Sequence, residues 1–178
     1  PADVPPGRVA LYVTLDGPAA VVPIGELDIA AIARRMDVPP MGETVGGELG
    51  DAITLLGYDL DRREVRPGET VHLTLYWQAR QRMQQEYTVF THLLDATGRI
   101  VAQQDSAPAQ GARPTTSWLE GEVIVDEYAL TVQSDAAAGE HQIEVGLYEP
   151  DSGRRLAVIG SDRQAQGDHV LLGTIGVR

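Results

Sequence analysis

The stretch that most constrains the fold is residues 71–78, where apolar and polar side chains alternate without a break. In an extended backbone, successive side chains point to opposite faces, so this pattern predicts a half-buried β-strand. Pro67 and Gly68 come just before it and predict the turn that leads into the strand. The apolar set and the polar set are Val71, Leu73, Leu75 and Trp77, and His72, Thr74, Tyr76 and Gln78.

Strand-like segments with turn residues between them continue to the end of the chain. Eight short strands at this spacing predict a mainly β fold, a two-sheet antiparallel β-sandwich of the immunoglobulin or fibronectin type III kind. A jelly roll is the alternative. The apolar pattern changes phase near Asp126 and Glu127, which predicts a β-bulge there. Besides residues 70–79, the segments are 52–59, 86–94, 99–104, 122–132, 141–148, 155–159 and 169–177.

The first 49 residues follow a different pattern. Residues 8–15 and 20–24 predict a short hairpin around a turn at 16–18. Asp28 is expected to cap a short helix. Residues 42–50 contain four glycines and no apolar periodicity, which predicts a loop or linker. We therefore expect a hairpin-helix appendage with its linker at 1–49 and a β-sandwich domain at 50–178. The apolar stripe of the expected helix consists of Ile29, Ile32, Ala33 and Met36.

Charge and residue usage narrow the classes of partner. The formal net charge is -12, and all fourteen basic residues are arginine. Nucleic acids and anionic membrane surfaces need basic patches, so we expect neither as a partner. The chain has no cysteine, which excludes disulfides and thiolate chemistry. No run of eighteen apolar residues occurs, so no segment is expected to span a bilayer. A start at Pro1 rather than Met favours an excised domain or a processed product.

No residue pattern in the chain predicts an enzyme, a metal site or a cofactor. The four histidines fall on different predicted strands, without the spacing of paired metal ligands. There is no nucleophile elbow of the G-x-S-x-G type. The carboxylates around residues 120–127 are interpreted as a charged strand end, because a glycosidase pair normally lies in a deep cleft. We therefore predict a non-catalytic domain with no metal and no cofactor.

A set of outward-facing aromatic, amide and acidic side chains is the best candidate for ligand contact. Planar rings next to amides and carboxylates suit the apolar face and the hydroxyls of a sugar. The competing interpretation is an ordinary solvated sheet face, or contact with another domain. Trp118 lies in a proline-containing loop, where it is expected either to cap one end of the sandwich or to serve as a ligand platform. The candidates are Tyr76, Gln78, Trp118, Gln142, Glu144 and Tyr148.

Several of these segments, in this order, resemble a known β-sandwich. The carrying stretches are residues 56–60, Arg66-Pro67-Gly68, 73–79, 87–103, 114–123 and 139–150. They look like the domain that follows the membrane-embedded part of many bacterial glycosyltransferases related to the protein O-mannosyltransferases, and the likeness covers residues 50–178. It implies an extracytoplasmic accessory domain whose partner is the membrane-embedded part of the same parent chain. The catalytic acids of that family lie in the membrane part, so the resemblance transfers no catalytic residue.

Two functions of different class follow from these observations. The first is a non-catalytic accessory domain of a membrane glycosyltransferase, located on the extracytoplasmic side of a bacterial cell membrane, that contacts glycan or acceptor protein. The alternative is a purely structural spacer or protein-interaction module with no small-molecule ligand.

Overall fold

A computed structural model of the chain describes residues 7–14, 21–29 and 32–178. The expected turn at 16–18 therefore lies outside the described residues. In these described ranges, two short 3-10 helices, Pro108–Gly111 and Thr115–Ser117, accompany thirteen β-strands. The strands are β1 (Gly7–Thr14), β2 (Val21–Ile29), β3 (Glu43–Leu49), β4 (Ile53–Leu60), β5 (Glu64–Val65), β6 (Thr70–Ala79), β7 (Thr88–Leu94), β8 (Ile100–Ser106), β9 (Val123–Thr131), β10 (Gly139–Tyr148), β11 (Val158–Ile159), β12 (Ala165–Gly167) and β13 (Val170–Val177).

The chain divides into two compact units, Pro1–Arg34 and Arg35–Arg178. In the first unit, β1 and β2 pair antiparallel, which confirms the predicted hairpin. Arg8 lies on one face of this hairpin, 3.4 Å from Glu26 and 3.1 Å from Asp28. The pairing register and the alternation of side chains put a purely apolar set on the opposite face. This set consists of Val9, Leu11, Val13, Val22 and Leu27, all exposed.

The predicted helix after Asp28 is wrong. Asp28 and Ile29 belong to β2 and pair with Arg8 and Gly7. Residues 32–34 have no regular structure, and Arg35 forms a β-bridge with Val123. A helix this short is marginal in water. Backbone groups of Asp28, Ile29 and Arg35 instead form hydrogen bonds to neighbouring strands, and a single helical turn would offer fewer such bonds.

The second unit is a β-sandwich, as predicted. One sheet has five strands in the order β5-β13-β10-β7-β8, and the other has six in the order β12-β11-β3-β4-β6-β9. The strand pairs in both sheets are antiparallel, apart from the short parallel pair of β5 and β13. The core lies between the two sheets, and β6 contributes Val71, Leu73, Leu75 and Trp77 to it, each 0% exposed.

The predicted bulge in β9 is also wrong. β6 and β9 pair in one continuous register from Thr70 to Gln78, with no shift. Asp126 therefore keeps the inward direction of its neighbours and is 0% exposed. The break in the apolar pattern is an acidic residue placed in the core, and the backbone stays regular. The inward-facing set is Ile124, Asp126, Tyr128 and Leu130.

The predicted linker at 42–50 is a strand of the sandwich. β3 pairs with β4 on one side and with β11 on the other, and Leu49 is fully buried. Its register is interrupted between Thr44 and Gly47, where two of the four glycines of the segment lie. The sandwich thus begins before Gly50, and the two compact units meet in sequence at Arg34 and Arg35.

Residues 35–42, which we call the strap, cross the outer face of the six-stranded sheet. At one end the Val123 amide of β9 donates to the Arg35 carbonyl at 2.8 Å. At the other end the Gly42 amide donates to the Asp59 carboxylate of β4. Since β6 lies between β4 and β9 in the sheet, the strap passes over β6.

Candidate ligand-binding surfaces

The candidate residues chosen from the sequence do not form one site. Tyr76 and Gln78 lie on the outer face of the six-stranded sheet, whereas Gln142, Glu144 and Tyr148 lie on the outer face of the five-stranded sheet. These two faces are on opposite sides of the sandwich. Any ligand therefore contacts one group or the other.

The Tyr76 and Gln78 group is largely used within the fold. Tyr76 is only 8% exposed and its hydroxyl donates to Asp59 Oδ2 at 2.6 Å. That hydrogen bond, together with burial, raises the pKa of Tyr76 to about 12. The Gln78 amide donates to the Gly121 carbonyl at 3.3 Å. The strap crosses β6 on this face, so the expectation that Tyr76 is open to a ligand is corrected.

Trp118 is also unavailable to a ligand. Its side chain is 1% exposed, and its indole N–H donates to the Arg113 carbonyl at 2.8 Å. Glu122, which is 0% exposed, forms an ion pair with Arg113 and accepts from the Leu119 amide at 2.9 Å. Glu122 is joined through its own backbone to Ala79 at the end of β6. Trp118 thus caps one end of the sandwich, which was one of its two expected roles.

Glu144 lies at the centre of a line of charged groups across the five-stranded sheet, which we call the charged row. Glu144 is 8% exposed. Its Oε1 atom lies 3.3 Å from His92 Nδ1 and 3.3 Å from Arg155 Nη1, and its Oε2 atom lies 3.9 Å from His169 Nε2. The row consists of Asp105, His92, Glu144, Arg155, Asp168 and His169.

At the end of the charged row formed by Arg155, Asp168 and His169, acidic and basic side chains alternate. His169 Nδ1 is 2.8 Å from Asp168 Oδ1, and Arg155 Nη1 is 3.7 Å from the same oxygen. The hydrogen bond to His169, helped by the charge of Arg155, lowers the pKa of Asp168. Asp168 thus stays ionised under ordinary conditions and holds the Arg155 guanidinium and the His169 ring at the edge of the face.

Aromatic rings lie beside the charged row. The Arg155 guanidinium is 4.1 Å from the centroid of the Phe90 ring, a cation–π arrangement. The Tyr148 ring lies 6.4 Å from Phe90 and is half-buried. Burial, and then the nearby Asp105 charge, raises the pKa of the Tyr148 hydroxyl. Phe90 itself is 1% exposed. Tyr148 is therefore the aromatic group of this face that is open to solvent.

Gln142, in contrast, is tied to the backbone of its own sheet. Its amide nitrogen donates to the carbonyls of Leu172 and Ile143. Two of the three sequence candidates on this face, Glu144 and Tyr148, thus belong to one largely buried cluster on its outer side. The sequence reasoning missed His92, Arg155, Asp168 and His169. The available signal was the outward parity of His92 and Glu144, which lie directly opposite each other on β7 and β10.

A second surface is an open cleft of about 480 Å³ beside the edge strand β9. β6 and β9 supply one wall, and β8 and the first 3-10 helix supply the other. Behind it, Asp126 accepts hydrogen bonds from Trp77 Nε1 at 3.3 Å, the Tyr128 hydroxyl at 2.7 Å and the Ala109 amide at 2.8 Å. The lining residues include His72, Thr74, Gln104, Gln110, Glu127 and Ala129.

The described residues contain no group of three or more acidic or histidine side chains arranged to hold a metal ion. No helix in the same part of the chain is long and apolar enough to cross a membrane.

Comparisons with known proteins give structural likenesses alone. No family model and no curated protein matches the sequence. The C-terminal domain of wzt is similar with a TM-score of 0.49 and 13% identity, over 78% of this chain and 82% of that one. A Niemann-Pick type C2 protein from Japanese carpenter ant has a TM-score of 0.44 and 8% identity, over 76% and 98%. The CARDB domain of the PF1109 protein from Pyrococcus furiosus has a TM-score of 0.40 and 8% identity, over 74% of this chain and 93% of that one. Likeness at this level says nothing about ligand or partner.

Proposed function

We propose that this chain is a non-catalytic accessory domain that contacts glycan on the extracytoplasmic side of a bacterial membrane. In this proposal its partner is the membrane-embedded glycosyltransferase part of the same parent chain. The resemblance of residues 50–178 to sandwich domains of such enzymes supports the context. The single observation that carries the contact is the charged row with Tyr148 beside it.

The chemistry of this face suits hydroxyl groups. Carboxylates accept hydrogen bonds, Arg155 donates them, and imidazoles do either. Tyr148 adds a half-buried ring against which the apolar side of a sugar can pack. The groups are held in place because Glu144 is bound by His92 and Arg155. Such preorganisation reduces the entropy lost on binding.

A structural role for the buried acids supports the non-catalytic part of the proposal. Glu122 and Asp126 are each 0% exposed and are bound by groups of the fold. General acid-base catalysis needs a carboxyl group within reach of the substrate. Neither acid can meet that requirement without opening the sandwich.

A glycan array with the full chain tests the proposal. The wild type is expected to bind a subset of the bacterial glycans on the array. Tyr148→Ala is expected to lower the affinity about tenfold, because loss of one stacked ring costs roughly 1.4 kcal/mol. Glu144→Gln is expected to lower the affinity by more than Tyr148→Ala does. Gln78→Ala, on the opposite face, is the matched control and should bind as the wild type does. An empty array, or equal binding by all four proteins, would reject glycan contact at this face.

The alternative function, a protein-interaction module, is favoured by the hairpin unit. Val9 and Leu11 are each 42% exposed and Leu27 is 53% exposed, all on its apolar face. An isolated two-stranded hairpin is marginally stable in water, so a partner surface would stabilise it. If this is its role, the chain should co-purify with the separately produced membrane-embedded part of its parent. The double variant Leu11→Ser, Leu27→Ser should lose that association, while Arg8→Gln on the polar face should keep it.

A further inference from the structure

We propose that the cleft beside β9 is a second binding site, for a neutral polyhydroxylated ligand such as a sugar unit. The cleft lies at the edge strand of the six-stranded sheet and shares no lining residue with the charged row, although Gln104 directly precedes Asp105 on β8. It therefore does not depend on glycan contact at the charged row. Its volume, about 480 Å³, falls in the range of roughly 300–1,000 Å³ that holds small molecules in proteins.

The free backbone edge of β9 is already occupied by two glutamine side chains. Gln104 Oε1 accepts from the Ala129 amide at 2.6 Å, and Gln110 Nε2 donates to the Glu127 carbonyl at 3.1 Å. The two amides thus take the place of a neighbouring strand, which blunts an edge that would otherwise pair with another chain. An extended peptide would have to displace both glutamines, so strand addition is disfavoured here.

Several solvent-accessible hydrogen-bonding groups of the cleft have no side-chain partner among the residues that the structure describes. A glutamine amide nitrogen carries two N–H bonds, and the bonds described use one of them on Gln110. Among the described residues, the His72 ring, the Thr74 hydroxyl and the Glu127 carboxylate accept or donate no side-chain hydrogen bond. Donors and acceptors are therefore mixed in one small space, which matches hydroxyl groups because each hydroxyl both donates and accepts.

The charge of the cleft argues against an anionic ligand. The chain has no lysine, and no arginine is found among the described residues that line the cleft. Glu127 adds a negative charge, within a protein of formal net charge -12. A phosphate or carboxylate ligand would meet repulsion and no guanidinium. A neutral ligand with several hydroxyl groups meets neither obstacle.

One wall of the cleft is held in a rare backbone conformation. Ala109 and Gln110 have φ of 52° and 54°, and they are two of the three non-glycine residues with positive φ in the described part of the chain. This left-handed conformation is costly for residues with a Cβ. The buried Asp126 stabilises it by accepting from the Ala109 amide at 2.8 Å. Strain retained in this way is typical of binding sites, where it fixes a side chain before the ligand arrives. Here it fixes Gln110.

Amide NMR spectra of the full chain, titrated with methyl glycosides of glucose, galactose, mannose and N-acetylglucosamine, test the proposal. At least one glycoside is expected to give saturable shifts at Thr74, Glu127, Ala129 and the side-chain amides of Gln104 and Gln110. Thr74→Val and Glu127→Gln should each weaken that binding about five- to tenfold, the effect of one hydrogen bond. Thr54→Val is the matched control, because Thr54 is also half-buried on the outer face but lies outside the cleft.

Three results would overturn the site. They are no saturable shift in the cleft with any of the four glycosides, unchanged affinity in both variants, and stronger binding of inorganic phosphate than of any glycoside. Glu144→Gln separates this proposal from the one for the charged row, since it should leave the cleft titration unchanged. If the NMR titration shows no binding in the cleft while the glycan array still shows binding at the charged row, only the proposal of a second site is rejected.

Discussion

At the residue scale, Asp126 is a group whose ionisation opposes folding. Burial raises its pKa to about 6, even though the Tyr128 hydroxyl, the Ala109 amide and the Trp77 indole all lower it. An unfolded chain releases the same proton near pH 3.9. Between these values the folded state holds more protons, so the free energy of unfolding falls as the pH rises from about 4 to about 6. Two pKa units correspond to about 3 kcal/mol.

Asp126→Asn should remove this dependence. The wild type is expected to lose about 2 kcal/mol relative to the variant between pH 4 and pH 6.5, with little further relative change above that pH. Denaturant midpoints at a series of pH values measure the difference. Glu86→Gln, which changes an exposed acid that is not among the groups shifting the pKa of Asp126, is the control and should leave the wild-type slope in place. Parallel pH profiles for wild type and Asp126→Asn would show that Asp126 ionises in the fold as it does in water.

Trp77 supplies the second prediction at this scale. It is 0% exposed and belongs to the central core cluster. Trp77→Ala should lower the free energy of unfolding by about 3–5 kcal/mol, the range for deleting a large buried aromatic side chain. Gln78→Ala, the next residue on the other face, should cost at most about 1 kcal/mol, because it loses one hydrogen bond. Urea unfolding measures both free energies. The reverse ranking would mean that Gln78, and not Trp77, faces the core.

At the scale of elements, Gly57 controls how β3 packs on β4. A Cβ at this position would lie 2.1 Å from the Glu43 carbonyl oxygen and 2.5 Å from Met41 Sδ. The backbone of β3 cannot move away without breaking its pairing with β4. Gly57→Ala is therefore expected to cost about 2 kcal/mol or more, as overpacking does.

Gly176→Ala is the matched control for Gly57, since a Cβ there would meet its nearest atom, Glu140 Oε1, at an ordinary 3.4 Å. It should change the unfolding midpoint little. Equal midpoints for the two alanine variants would show that the strap and β3 yield easily to a methyl group.

At the scale of the whole molecule, the N-terminal boundary decides which truncation is tolerated. Deletion of residues 1–34 removes the hairpin unit and should leave a cooperative β-sandwich of nearly full stability. Deletion of residues 1–49 also removes the strap and β3, so β4 loses one neighbour and β11, left with β12 alone, is cut off from the rest of the sheet. Loss of the fully buried Leu49 alone is expected to cost about 2–5 kcal/mol. Dispersed amide spectra and urea midpoints distinguish the two, and equal midpoints would place the boundary at Gly50.

The longer strands from residue 51 onward were predictable because they bury one face, and alternation records that directly. The short β5 and β12 were not predicted, and β12 buries no face. Asp126 was misread because its polarity was taken as a change of phase, although its parity matched Ile124 and Tyr128. β3 was missed because its glycines mark a loop by composition, while neighbours on both sides supply its hydrogen bonds. Tyr76 was taken as open because a strand pattern cannot reveal a strap that covers its polar face.

The candidate site was harder to predict than the fold for a related reason. His92 and Glu144 are separated by 52 residues and meet only because β7 and β10 are neighbours in the sheet. Their outward direction could be read from each strand, but their pairing depends on the strand order. Arg155, Asp168 and His169 reach the same face from connections whose paths are set by β11 and β12. Nothing local to these residues marks them as partners.

The strap also determines how the sandwich would respond to a mechanical load. A pull on the N-terminal unit reaches the sandwich through Arg35, whose carbonyl is bonded to the Val123 amide, and only afterwards through the Gly42 amide at Asp59. These attachments are loaded one after the other along the chain, because Arg35 precedes Gly42. Fully extended, its eight residues span up to about 27 Å, so their release would lengthen the connection by the difference between that length and the distance from Val123 to Asp59. The segment would act as a short extensible tether that protects the sheet behind it.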